Sequence, residues 1–430
     1  MRSKLLCLLF TGVVLSCQAP KEENATLALV ETASPESVGL IADSLDLIRD
    51  HIQWAIDSQY IAGGVALVAR AGKIVWYEAV GFSDNEKKEA MEKDDIFRIA
   101  SMTKPITTTA VMQLYEQGRL DTKDPVSKYI PEFSGSVVLD KVDESGSGFT
   151  TIDASREVTI HDLLTHTSGL TYSSPGSKAA IAYEPFGATE AWTKDSIVLA
   201  DNAKLLGRLP LMHNPGEQFT YGTSIDVLGR VVEVVSGQPL DEYFQEHIFD
   251  PLGMVDTYFY LPPEKYDRLV DVWYTAGTNR EAYRNDDYPV SGAKTYFAGG
   301  AGLSSTVLDY FKFANALLMG GGDGEARILK EETVALMASN QIDTLHLSEG
   351  EQFGYGFSVY TDDGPFGRKR GRYSWGGFWQ TIFWVDPSRD IVALLFTNAR
   401  ETPKWNALFD GYERIVNQAV RGSVDHAGAE

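Results

Sequence analysis

A chain of 430 residues with 43% hydrophobic and 11% aromatic side chains can bury a large core, in one large domain or two ordinary ones, which excludes a disordered scaffold. Its 38 basic and 60 acidic residues give a formal charge of −22, whereas nucleic acid or an anionic membrane surface would need a cationic footprint. The two cysteines, Cys7 and Cys17, both precede the expected folded region, so neither a disulfide nor a thiolate metal site is expected within it.

Arg2 and Lys4 precede an apolar run from Leu5 to Leu15, too short to cross a bilayer as a helix and suited to the h-region of a secretory signal. The step Val14, Leu15, Ser16, Cys17 resembles a bacterial lipobox, which implies cleavage after residue 16 and lipidation of the Cys17 thiol. The alternative is an ordinary signal peptide with an incidental cysteine. On the first reading the protein is exported to the cell envelope and meets membrane only through that anchor. Residues 18–34 are polar and aperiodic, as a tether would be, and the folded unit is expected from near Pro35 to about residue 425.

Leu45, Ile48, Ile52, Ala55 and Ile56 recur at three- and four-residue steps and predict an amphipathic helix. Two strands, Gly64–Ala69 and Ile74–Val80, separated by Arg70, Ala71, Gly72 and Lys73, predict a β-hairpin. Ile96, Phe97, Ile99 and Ala100 read as a short buried strand. Beyond it Ile106, Ala110, Val111 and Leu114 form an apolar helical stripe that Gly118 stops.

Ser101, Met102, Thr103 and Lys104 open that helix, and one helical turn puts the Ser101 hydroxyl and the Lys104 amine on a common face. A serine hydroxyl needs an adjacent base, and a lysine can serve only where its surroundings bring its pKa well below about 10.4. A helix N-terminus also supplies unpaired N–H groups to a developing oxyanion. The spacing alone fits an N-cap serine beside a solvated lysine equally well. It occurs again at Ser291 and Lys294, where Pro289 before it and Gly299 and Gly300 after it indicate a loop.

From Ser101 to about Tyr260 the pattern is mostly helical, punctuated at Gly118, Pro125, Pro131, Gly169, Pro175, Pro210, Pro215 and Gly237. Val307–Met319 is again helical, Thr381–Val385 pairs with Ile391–Asn398, and Leu408, Tyr412, Ile415, Val416 and Ala419 mark a closing helix. This order predicts one discontinuous α/β unit, about 35–100 and 285–425, with a helical lobe of about 101–284 inserted and Ser101 at the junction.

No Gly-x-Ser-x-Gly elbow and no His-Glu-x-x-His step occurs, and His161 and His166 are five apart, off the spacing that places two ligands on one helical face. Neither a metal nor a cofactor is expected. His166 is expected to fix the turn at Thr167, Ser168 and Gly169 by hydrogen bonds, and Gly320, Gly321 and Gly322 to end a helix. Arg368, Lys369, Arg370 and Arg372 read as a solvated turn, with a cation facing the cleft as the alternative.

Seven blocks keep a family order: Phe97–Pro105; Asp124–Phe133 (DPVSKYIPEF); His161–Leu170 (HDLLTHTSGL); Pro215–Glu233; Pro251–Thr257; Gly299–Thr306 (GGAGLSST); and Trp375–Pro387. Together they resemble the serine β-lactamase-like, penicillin-recognising hydrolases, and within them the family VIII carboxylesterases related to class C β-lactamases. The resemblance implies a β-lactamase/transpeptidase-like fold, an antiparallel sheet flanked by helices with an inserted all-helical lobe. It makes Tyr221 the tyrosine that shares proton transfer with Lys104, and Ser101 and Phe378 the donors of the oxyanion N–H groups. Thr223 stands where class C enzymes usually have asparagine. Trp375, Gly376 and Gly377 stand where β-lactamases carry Lys-Thr-Gly, so the cation that pairs with the carboxylate of β-lactams and D-alanyl peptides is absent from that strand. The implied function is an exported serine hydrolase that cleaves small-molecule carboxylic esters through an acyl-enzyme on Ser101. An envelope D-alanyl peptidase, D-aminopeptidase or weak β-lactamase is one alternative; a catalytically silent ligand-binding or sensor protein is another.

Overall fold

The computed structural model describes residues 30–421 apart from 85–86, 144–145, 147, 275–287, 323–325 and 401–403. Cys17, the leader and residues 18–29 of the expected tether lie outside the described residues.

Eight strands make one antiparallel sheet: β1 (Gly63–Arg70), β2 (Lys73–Asp84), β3 (Glu89–Ala90), β4 (Glu351–Phe353), β5 (Ser358–Tyr360), β6 (Tyr373–Gly377), β7 (Thr381–Asp386) and β8 (Ile391–Phe396). Their spatial order is β3-β2-β1-β8-β7-β6-β5-β4, so the first and last thirds of the chain meet where β1 pairs β8, Val65 opposite Phe396 and Arg70 opposite Ile391. The β1–β2 hairpin closes through Ala71 and Gly72, both at positive φ, the backbone that a two-residue turn between twisted strands requires. The expected pairing of β7 with β8 is present, with Val385 opposite Val392.

Every residue of β1 and β8 is buried because helices cover both faces of the sheet. Helices α1 (Ala42–Asp57) and α5 (Trp405–Gln418) lie on one face over Ala66, Val68, Ala393 and Leu395. Leu45, Ile48, Ile52 and Ala55 are the buried stripe of α1, as its periodicity predicts. The opposite face, with Val65, Leu67, Leu394 and Phe396, packs on α2 (Thr103–Glu116), α3 (Ser224–Ser236) and α4 (Val307–Leu318) as part of the larger core.

Two expectations need correction. The inserted segment is not all-helical: Val137–Val142 and Phe149–Asp153 form an antiparallel hairpin, with Val138 opposite Ile152. Its β-branched residues favour strand, a local preference hidden by the helical punctuation on either side. Nor is the basic run at 368–372 simply a solvated turn. Arg368 and Arg372 both meet the fully buried Glu413 carboxylate of α5, Arg368 at 2.8 and 2.5 Å. Lys369 pairs with exposed Asp363.

Candidate active site

The approach to Ser101 is built by a two-residue strand, Phe97–Arg98, paired with Ser304–Ser305. After it Ala100 adopts φ +43°, a region costly for a residue with a Cβ, and a 3₁₀ turn over Ala100–Met102 leads into α2 at Thr103. Ser101 is half-buried at this bend, while Lys104, one turn on, is fully buried.

The Lys104 amine lies 3.3 Å from Ser101 Oγ, 3.0 Å from the Tyr172 hydroxyl and 2.7 Å from the Gly300 carbonyl oxygen. Among the described residues no carboxylate forms an ion pair with it. These partners restrict what the amine can do. The Gly300 carbonyl can only accept, so it holds one N–H; the two hydroxyls can each donate or accept. A free amine in this site therefore has its lone pair open only toward Ser101 or Tyr172.

Gly300 is itself fixed. Its N–H donates to Asp226 Oδ1 of α3 at 3.0 Å, and a Cβ added there would come within 2.2 Å of Asp226 Oδ2. Burial pushes the Asp226 carboxyl up to about 6, against the opposing pull of Lys104 and of the Gly300 N–H. Gly300 thus joins Asp226, through its N–H, to the lysine, through its carbonyl oxygen.

Tyr221 stands in the loop before α3 and Tyr172 in the loop after the HTSGL turn. Gly222 lets the two loops touch, since a Cβ at that position would lie 2.3 Å from Thr171 Cα. The two tyrosine rings come to 5.7 Å, and the Lys104 amine sits over the Tyr221 ring at 4.6 Å. The Tyr221 hydroxyl is buried with no hydrogen-bond partner among the described residues. Burial, with Tyr221 and Asp226 nearby, pushes Tyr172 well above the ordinary phenol value, so it is a neutral hydroxyl. Sequence reasoning missed Tyr172 and Asp226; the only signal was their position, Tyr172 just after the block His161–Leu170 and Asp226 within Pro215–Glu233.

His166 differs from its expectation. It does shape the turn, at φ +55° and with its carbonyl oxygen accepting from Thr220 N at 2.8 Å, but both ring nitrogens are buried without a partner among the described residues. The ring packs 4.7 Å from Tyr221 and 5.5 Å from Phe353. Burial, helped by the Lys104 charge, pushes His166 well below its ordinary value and leaves it a neutral aromatic filler.

β6 forms the facing wall. Trp375 packs 5.3 Å from Tyr221 and 5.2 Å from Phe353. A Cβ on Gly377 would lie 2.3 Å from the Ile99 carbonyl oxygen, so glycine is what lets β6 approach the segment before Ser101. Phe378 follows at the strand end, 37% exposed. Ser101, Tyr172, Tyr221, Trp375, Gly376 and Phe378 line one cavity of about 600 Å³, and Glu190 and Trp192 are also in its wall. Thr223 is buried beside it and Arg368, Lys369, Arg370 and Arg372 are not among its lining residues. Ser291 and Lys294 lie in a loop, where the Lys294 amine meets the Tyr266 hydroxyl at 3.0 Å.

Comparisons with known proteins agree with this architecture. Residues 48–413 match the Beta-lactamase family model. The chain is 33% identical over 371 residues to Protein Rv1367c of Mycobacterium tuberculosis, covering 82% of this chain and 89% of that one. It is 30% identical over 420 residues to Esterase EstB of Burkholderia gladioli, covering 92% and 98%. Among solved structures, EstCE1, described as a hydrolase with promiscuous acyltransferase activity, superposes with a TM-score of 0.73 at 28% identity, over 88% of this chain and 99% of that one. A buried lysine beside a serine at the mouth of an aromatic cavity, on a sheet and helices of this arrangement, belongs to a serine hydrolase, and the chain is a member of the beta-lactamase family.

Proposed function

We propose that the protein hydrolyses small carboxylic esters that carry no further carboxylate, through an acyl-enzyme on Ser101. The observation that carries this reading is the Lys104 amine, buried and held between the Ser101 hydroxyl, the Tyr172 hydroxyl and the Gly300 carbonyl. As Ser101 Oγ attacks the ester carbonyl, its proton passes to the amine, which the Tyr172 hydroxyl also meets; the Tyr221 hydroxyl, unpartnered among the described residues, is the second phenol offered to that proton transfer. The carbonyl π electrons move onto oxygen, which the N–H groups of Ser101 and Phe378 receive. Collapse expels the alcohol, which takes a proton from the Lys104 and tyrosine network, and water then attacks the acyl-serine to release the acid. An alcohol in place of that water gives acyl transfer, the second activity in the description of EstCE1.

The substrate class follows from the wall of the site. Trp375 and Phe378 offer apolar surface where a carboxylate clamp would need a cation, and the nearby Arg368 and Arg372 are committed to Glu413. Ser101→Ala is expected to abolish p-nitrophenyl butyrate hydrolysis and covalent labelling by a fluorophosphonate with the thermal transition retained. Undiminished labelling would overturn the assignment. A panel adding a chromogenic cephalosporin and a D-alanyl peptide separates the esterase from the β-lactamase and peptidase readings, and silence on all three leaves a binding protein.

Export and lipid anchoring through Cys17 are part of the same reading, supported by the apolar run at 5–15 and the lipobox-like step. Among the described residues no helix is long and apolar enough to cross a membrane. Cys17→Ala is expected to shift the protein from the membrane to the soluble fraction of cells; an unchanged distribution would remove the anchor from the proposal.

A further inference from the structure

The part of the cavity wall formed by Glu190 and Trp192 carries a feature that ester hydrolysis does not use. Glu190 lines the cavity together with the aromatic residues Trp192, Tyr172, Trp375 and Phe378, and also borders a neighbouring cavity beside Ser173 and Tyr183. Its carboxylate is held in place, both oxygens facing the Ser173 N–H at 2.8 and 3.0 Å, which occupies one proton and leaves most acceptor positions open. Trp192 is equally fixed, stacked 5.4 Å from Tyr288 and 5.6 Å from Trp379 and meeting Phe378 edge-on at 6.1 Å.

The balance of charge has a sign. Among the described residues no lysine, arginine or histidine lines the cavity; Arg400, whose guanidinium lies over Phe378, is not one of its lining residues. Among the described residues that line the cavity, Glu190 is the one carboxylate. The chain as a whole carries −22, which adds to the attraction for cations. A carboxylate set among aromatic faces suits a weakly hydrated cation, which gains both the ion pair and the ring quadrupoles while needing few hydrogen bonds.

We infer that Glu190 and the aromatic wall form a cation subsite, and that the preferred substrates are esters carrying a quaternary or substituted ammonium group. This deepens the esterase reading and rests on it for turnover, though the binding itself can be measured without turnover. The direct test is equilibrium binding, by calorimetry or tryptophan fluorescence, of phenyltrimethylammonium against its uncharged isostere tert-butylbenzene. The full-length protein is expected to bind the cation at least about tenfold more tightly, Glu190→Gln to bring the two probes within about threefold, and Glu190→Asp to keep the preference. Glutamine can still accept from the Ser173 N–H, and a melting curve reports whether each variant is folded. Equal affinity for the two probes in the native protein, or a preference that survives Glu190→Gln, would overturn the subsite. A second arm compares acetylcholine with 3,3-dimethylbutyl acetate: hydrolysis of neither ester sinks the esterase reading and leaves the binding result to decide the subsite on its own.

Discussion

The Lys104 amine lies over the face of the Tyr221 ring, 4.6 Å from its centroid, and it takes its hydroxyl contact from Tyr172 at 3.0 Å. Two phenols therefore border the amine in different ways. One presents π density to its charged form and the other a donor or acceptor to either form.

The two tyrosines should be separable by kinetics. Tyr172→Phe removes one hydrogen bond from the amine and is expected to lower kcat/KM about tenfold, within the range of one such contact. Tyr221→Phe keeps the ring under the amine and removes the hydroxyl, with an expected loss of about 100-fold or more if that hydroxyl moves a proton. Steady-state kinetics on p-nitrophenyl butyrate, with the double variant, checks both. A Tyr221→Phe enzyme of native rate would take Tyr221 out of the proton network.

Trp375→Lys tests the specificity of the β6 wall. A cation there is expected to raise the ratio of kcat/KM for a hemisuccinate ester over its neutral counterpart about tenfold. The same change gives up aromatic contacts to Tyr221 and Phe353, so a lower melting temperature should accompany it.

Gly377→Ala should be severe for so small a change. The added methyl would stand 2.3 Å from the Ile99 carbonyl oxygen and as close to Thr381 Oγ1, both in buried surroundings. A loss of about 1–3 kcal/mol in urea denaturation is expected, together with reduced kcat, because the strand and the approach to Ser101 must part.

Glu413 is fully buried between Arg368 and Arg372, whose side chains are 13% and 2% exposed. Glu413→Gln strands two guanidinium charges and is expected to cost about 3–5 kcal/mol, whereas replacing all three residues by apolar ones of similar volume should recover most of it. Denaturant midpoints of the single and triple variants give the comparison.

His166 predicts a pH dependence with a definite sign. Its folded-state value lies well below the ordinary 6.5, so its contribution to stability is complete above that value and is lost as pH falls toward the folded value, where only the unfolded chain binds the proton. Asp226, raised from 3.8 to about 6, acts oppositely, adding stability as pH falls through 6. His166→Phe retains the ring packing and removes the first effect. The stability of the native protein minus that of the variant should therefore decline as pH falls below 6.5; a flat difference would mean the imidazole charges inside the fold.

The site was unevenly legible in the chain. Ser101 and Lys104 stand one turn apart, and a local spacing survives into any helix, so residue order alone brings them together. Tyr221, Trp375 and Phe378 emerge only through the resemblance, because their meeting with Ser101 depends on how a distant loop and strand are folded back. Tyr172 is 68 positions from Lys104 and Gly300 is 196, and no periodicity encodes contacts of that separation. The sheet was legible where β7 and β8 form a hairpin, less so at β4 and β5, which are three residues each. The hairpin at 137–153 was missed because helical punctuation surrounded a short β-branched run.

Gly300 answers to two masters: its carbonyl oxygen to Lys104 on one helix and its N–H to Asp226 on another. Relative sliding of α2 and α3 strains those two bonds and re-aims the Lys104 amine before the core itself comes apart. Warming should therefore silence the enzyme some degrees below its melting point, with full recovery on cooling.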